Sequence, residues 1–114
     1  LDKATGQVLM SGGSPGGALI IHYTAKTLYG VLNWGLTPQK AIDLPNFASL
    51  NGPSLLEEKR FPPATVQALR ERGAEVREMN MTSGLQAISR GQAHGKTLWL
   101  GGADPRREGV VMGD

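Results

Sequence analysis

There is no cysteine in this 114-residue chain. That excludes disulfides and thiolate metal sites, and it decides nothing about compartment. A charge bias is lacking too: 12 Lys and Arg against 10 Asp and Glu leave a formal net charge of +2, so a nucleic-acid-binding surface is not indicated. The nearest approach to a basic patch, Arg70, Arg72 and Arg77, is interleaved with Glu71, Glu75 and Glu78, the mixed signs of an ordinary solvated surface. The two histidines, His22 and His94, lie far apart in sequence, whereas a metal site needs clustered ligands; no metal and no cofactor are expected. Polar residues interrupt the longest apolar run, which argues against a membrane span. Internal repeats and low-complexity linkers are also missing. The length suits one domain with a modest core over residues 1–114.

Glycine is what the chain has in quantity, 16 residues, and its densest stretch is Gly12-Gly13-Ser14-Pro15-Gly16-Gly17. This stretch lies between a short strand-like run, Gln7 to Ser11, and a long apolar helix-like run, Ala18 to Trp34. Ser14 reads as the N-cap and Pro15 as the first helical residue, where a missing N–H costs nothing. A helix start leaves its first N–H groups without intrahelical partners, and the glycines put nothing but backbone around them. That suits close approach of an oxyanion or a phosphate. In the helix that follows, apolar residues cover most of the circumference. His22, Lys26 and Asn33 form a narrow polar stripe, so the helix is expected to be buried on most sides. Gly35 is placed to end it in a left-handed conformation.

Upstream, Asp2 to Gly6 reads as a hairpin loop. A hairpin needs a strand before its turn, and Leu1 is all that precedes this one; we expect a part of a longer protein, cut inside a hairpin. Downstream, Thr37-Pro38 opens a short helix over Gln39 to Leu44, closed by Pro45. Asn46 to Pro53 reads as loop and Ser54 to Glu58 as a short strand. Pro62 and Pro63 open a third helix, Ala64 to Arg72, with Val66 and Leu69 facing inward and Gly73 ending it. Ala74 to Met79, Gly84 to Ser89 and Thr97 to Leu100 read as strands, with Arg90 to Lys96 a polar loop. The order predicts a layered α/β (α+β) domain whose C-terminal part is mainly antiparallel.

Four readings of the glycine-rich turn stand open. Gly12-Gly13-Ser14-Pro15-Gly16 matches the G-x-S-x-G nucleophile pattern. There, however, the residue after the serine donates an N–H to the oxyanion, and Pro15 has none. Its partners are also poor, since His94 lies in a glycine-rich loop. A phosphate loop is the second reading, but the spacing fits neither common pattern and no lysine follows closely. In the third, the N–H groups of Gly16 and Gly17 form an oxyanion hole for acyl transfer, and the nucleophile lies elsewhere. Ser14, as N-cap, would compete for one of those groups. In the fourth, the glycines serve a tight strand-to-helix turn by sterics alone.

Gly13-Ser14-Pro15-Gly16-Gly17 followed by a long apolar helix resembles the C-terminal part of the small subunit of gamma-glutamyltransferases (gamma-glutamyltranspeptidases, glutathione hydrolases). The resemblance continues in order through Ile42-Asp43-Leu44-Pro45-Asn46-Phe47, the stretch from Leu56 to Gly73, Thr82-Ser83-Gly84-Leu85-Gln86-Ala87-Ile88, and Gly102-Ala103-Asp104-Pro105-Arg106 with Gly109. It covers nearly the whole chain. The first and last of these motifs at this separation are specific; either alone is weak.

The resemblance implies a fragment of an N-terminal-nucleophile hydrolase, a four-layer αββα sandwich. It implies a precursor that cleaves itself, and a new N-terminal threonine, upstream of this chain, as the nucleophile. That threonine attacks a gamma-glutamyl amide such as glutathione and passes the acyl group to water or an amino acid. Gly16 and Gly17 are then the oxyanion hole, and the chain alone is expected to be inactive. Its implied partners are the large subunit and the remainder of the small subunit of the same precursor. Without them its apolar helix is expected to drive self-association. Asp104-Pro105-Arg106 carries no catalytic role in this reading; Arg106 is expected to bond a carboxylate or carbonyls within a packed turn.

Two departures leave the substrate open. Family members carry a small polar residue and an arginine after the glycines, where this chain has Ala18-Leu19. They carry histidines after the phenylalanine, where this chain has Ala48-Ser49-Leu50-Asn51. The alternatives are a diverged acylase on another amide and a non-catalytic anion-binding domain. His22 reads as a satisfied or partly exposed histidine, with no acid at helical spacing. Trp34 and Trp99 read as core or edge packing, and Met79 and Met81 as gap fillers.

Overall fold

The structure is a computed structural model and describes residues 1–113. Along the chain run β1 (Met10–Gly13), a 3-10 turn (Gly17–Leu19), α1 (Ile20–Leu32), α2 (Pro38–Asp43), β2 (Phe47–Ser49), β3 (Ser54–Glu57), α3 (Pro63–Glu71), β4 (Val76–Met79), β5 (Gln86–Ala93), β6 (Lys96–Ala103) and a last 3-10 turn (Pro105–Arg107). The class is mixed α/β, as the order of apolar patterns predicted. The chain divides into two compact units, Leu1–Leu44 with Ser83–Asp114, and Pro45–Thr82.

In the first unit β1, β5 and β6 form an antiparallel sheet in the order β1-β5-β6. β5 alternates: Ala87 and Ser89 are buried, while Ile88 points to the opposite, open face with Trp99 of β6. The Gln39 side-chain amide ties α2 to the sheet, accepting from Ala103 N–H and donating to Ala103 O, both at 3.0 Å. α2 starts as its sequence predicts, with Pro38 in the first turn and the Thr37 hydroxyl accepting the Lys40 N–H at 3.3 Å.

α1 corrects the expectation of a helix buried on most sides. Its buried residues are Tyr23, Lys26, Thr27 and Gly30, while Ile21 and Leu32 are 73% and 59% exposed. Lys26 belongs to the inward face because its ammonium donates to Ile42 O at 3.0 Å and Leu44 O at 2.8 Å. These carbonyls lie at the end of α2, where intrahelical donors run out and the dipole favours a cation.

Two further corrections concern loops. Arg90 to Lys96 is not a loop: β5 and β6 run on to a turn at His94 and Gly95, whose φ angles are 51° and 72°. Paired positive angles are what a two-residue hairpin turn needs, and the polar residues beside it are strand surface. β2 falls inside a stretch that the sequence reads as loop, being too short to show an alternating pattern.

The second unit is conventional. β2 pairs antiparallel with β3, and β3 pairs parallel with β4, the crossover that a strand–helix–strand unit provides. Leu56, Val66 and Val76 form its core, with Phe61, Leu69 and Ala74 packed against them. Gly73 ends α3 with a φ of 89°. The buried Glu57 carboxylate accepts the Asn46 N–H at 2.8 Å.

Candidate functional site

The glycine-rich turn leaves β1 at Gly13 and enters the 3-10 turn at Gly17. Its cap is Gly16, not Ser14. The Ser14 hydroxyl is engaged elsewhere: it accepts the Gly84 N–H at 3.1 Å and donates to Pro15 O at 2.8 Å. The expected competition between Ser14 and an outside acceptor for these amides is therefore absent. Among the described residues no acceptor takes the N–H of Gly16 or of Gly17.

The backbone angles aim the two groups together. Gly16 has φ 148° and ψ 12°. A ψ near zero almost eclipses the nitrogens on either side of its Cα, so the N–H bonds of Gly16 and Gly17 lie on one side of the chain. Successive N–H groups arranged in this way form a concave anion site. Both residues need positive φ, 148° and 58°, and a Cβ on Gly16 would meet the Tyr23 ring at 2.7 Å. A Cβ on Gly17 would meet nothing within 4 Å, so an approaching ligand finds open space there. The start of α1 just beyond adds its positive dipole end.

A buried carboxylate stands behind the turn. Asp104, 1% exposed, takes the Ser83 hydroxyl at 2.5 Å and the Leu85 N–H at 3.1 Å on Oδ2. On Oδ1 it takes the Arg106 N–H at 3.0 Å and the Arg106 guanidinium at 3.1 Å. Burial on its own would raise the Asp104 pKa; these hydrogen bonds, Ser83's first, outweigh it and hold the carboxyl below its ordinary value. Arg106 also donates to Ile42 O and Leu44 O, each at 3.1 Å. The expectation that Arg106 bonds a carboxylate and carbonyls in a packed turn is met. The pairing of Asp104 with Ser83 had no signal in the sequence.

Other singled-out residues stay apart from the turn. Ser14 bonds no imidazole, and His94 occupies the β5–β6 hairpin turn. His22 is half-buried on α1. Neither tryptophan is core: both are exposed, Trp34 standing edge-on to Tyr29 with ring centroids 5.0 Å apart. Met81 is buried and Met79 borders solvent. Among the described residues no group of three or more His, Asp and Glu side chains comes together to hold a metal ion, and no helix is long and apolar enough to cross a membrane.

A family model for gamma-glutamyltranspeptidase matches residues 1–114. A glutathione hydrolase proenzyme from Pseudomonas sp. (strain A14) is 29% identical over 117 residues, covering 95% of this chain and 20% of that protein. The chain thus spans a fifth of the length of that relative. Among solved structures, an acivicin-inhibited gamma-glutamyltranspeptidase, whose C-terminus has critical roles in its autoprocessing and catalysis, matches with a TM-score of 0.82 at 23% identity. That match covers 91% of this chain and 56% of the other. A variant of Helicobacter pylori gamma-glutamyltranspeptidase matches with a TM-score of 0.81 at 22% identity, covering 90% and 56%. At such identities these likenesses show the fold, the N-terminal-nucleophile hydrolase fold that the motifs implied.

Proposed function

The chain belongs to the gamma-glutamyltranspeptidase family, and from that premise we propose that it supplies the oxyanion-binding part of an enzyme that cleaves gamma-glutamyl amides such as glutathione. The observation that carries the reading is the pair of convergent, unengaged N–H groups at Gly16 and Gly17. When a nucleophile attacks the amide carbon, the carbonyl oxygen gains negative charge. Two fixed donors on that oxygen lower the barrier, because they bond the oxyanion more strongly than the neutral carbonyl. Collapse expels the amine, and water or an amino acid then takes the acyl group by the same route. The nucleophile lies outside this chain, as the N-terminal threonine of the family pattern. Ser14 does not fill that role, since its hydroxyl is held by Gly84 and Pro15.

The exposed apolar side of α1 and the open sheet face with Ile88 and Trp99 support a second part of the reading. The remainder of the precursor, its large subunit and the rest of its small subunit, covers these surfaces. Left alone, they favour self-association.

The test is Gly17→Val in the full-length protein, assayed on material already shown to be processed. A β-branched residue is strained at φ 58° and misplaces the donor. Loss of one such donor lowers kcat by about 100- to 1,000-fold, with KM for a gamma-glutamyl anilide little changed. A near-normal kcat with only KM altered would reduce Gly17 to a turn residue and sink the assignment.

A further inference from the structure

The amides of Gly16 and Gly17 serve a reaction only while they stay where the carbonyl oxygen arrives, and their own backbone gives them little hold. The bonds across the turn, Leu19 N–H to Gly16 O at 3.1 Å and Ile20 N–H to Gly17 O, hold the carbonyls and not the amides, and two adjacent glycines have many other conformations open to them. Further hold comes from the residues before them. Ser14 Oγ accepts the Gly84 N–H at 3.1 Å. A Cβ on Gly84 would meet Pro15 Cγ at 3.0 Å and Cδ at 3.1 Å, so the proline ring lies directly against the Gly84 backbone. A proline ring is bonded to its own nitrogen, so apart from a change of pucker it moves only with the backbone that leads into the Gly16 amide.

Gly84 is thus the seat of the turn, and a glycine has no stiffness of its own. Its neighbours supply it. Asp104 Oδ2 holds the Ser83 hydroxyl at 2.5 Å and the Leu85 N–H at 3.1 Å, and the Asp104 N–H holds Leu85 O at 2.8 Å. One residue therefore grips both sides of Gly84.

We propose that Asp104 is a positioning residue for the oxyanion donors: it fixes Ser83 and Leu85, they fix Gly84, and Gly84 seats the Ser14-Pro15 segment that sets the Gly16 and Gly17 amides. The inference rests on the oxyanion reading of those amides. An amide in place of the carboxylate cannot do the same work. Each oxygen of Asp104 accepts two donors, so an NH2 on either side faces two hydrogens. The depressed pKa of Asp104 agrees with a group needed as an anion.

The experiment uses the full-length protein, with rates normalised to the processed fraction and a gamma-glutamyl anilide as substrate. Ser83→Ala removes one link and leaves the Leu85 and Arg106 bonds in place; it lowers kcat about ten-fold with KM within two-fold. Asp104→Asn lowers kcat about 100-fold, the scale of a misplacement near 1 Å. The double variant is no slower than Asp104→Asn, because both act through one path. Where Asp104→Asn yields no processed protein, Ser83→Ala decides. A fall in melting temperature with kcat of processed Ser83→Ala unchanged would make the cluster merely structural and overturn the inference. Gly17→Val separates the two claims. If it leaves kcat intact, the oxyanion reading falls and the positioning role with it. If it collapses kcat while Ser83→Ala and Asp104→Asn do not, only the positioning role falls.

Discussion

α1 and α3 are both amphipathic, and they use their two faces in opposite ways. α3 buries Val66, 4% exposed, against Leu56 and Val76 and leaves Gln67, Arg70 and Glu71 in solvent. α1 buries Lys26, 6% exposed, and Thr27, and turns Ile21, Leu28 and Leu32 outward. The second unit therefore closes its own small core. The first shares its inward helix face between Tyr23 and the polar bonds of Lys26 and Thr27 and keeps much apolar surface outside, the pattern of an element meant to be covered on its far side. An ordinary reading of amphipathicity fits α3 and inverts α1.

The sharpest way to break this contrast is Lys26→Met. The ammonium bonds Ile42 O and Leu44 O, and a charged hydrogen bond at a buried site is worth more than a neutral one. Methionine keeps the length and loses both bonds. We expect a loss of about 3 kcal/mol, read as faster hydrogen exchange at the α2 amides in the full-length protein. Unchanged exchange would mean that Arg106, which bonds the same two carbonyls at 3.1 Å, suffices alone. The polar inward face of α1 would then be tolerated rather than used.

Val66→Ala probes the other helix. It removes two methyl groups from a site with Phe61 and Leu69 alongside, and transfer plus cavity terms give about 2 kcal/mol. Exchange should speed up at α3 and β4 while the α2 amides keep their wild-type rates. Equal acceleration in both places would show that the units open together and would erase the distinction between them.

What the sequence made legible follows the same division. The Thr37-Pro38 start, the Pro62-Pro63 start and the glycine stops at Gly35 and Gly73, with φ 66° and 89°, are local devices, and each was readable from its neighbours. The partners of Lys26 lie 16 and 18 residues away, so nothing beside Lys26 marks it as inward. The candidate site divides likewise. Gly16 and Gly17 were readable as bare backbone at a helix start. Ser14 was not, because the group that takes its hydroxyl from the cap, Gly84 N–H, is 70 residues on. Asp104 was invisible as a support, its Ser83 partner being 21 residues distant.

The smallest effect on stability belongs to the outward face of α1, and it tests what that face is for. Ile21 is 73% exposed, so Ile21→Glu removes almost no buried area. It adds an acid in the first turn of α1, where the helix dipole favours one. The stability of the 114-residue chain should change by less than about 0.5 kcal/mol. Its association should change far more, because a charge at the N-terminal end of the apolar stripe must be desolvated in any contact that buries the whole stripe. Light scattering is expected to show a smaller average mass for Ile21→Glu than for the parent chain, and binding of a dye that reports apolar surface should fall in step. A parent chain that is already monomeric, with the same dye signal as the variant, would show that the exposed residues form no working surface. The contrast between α1 and α3 would then be one of composition, without consequence for assembly.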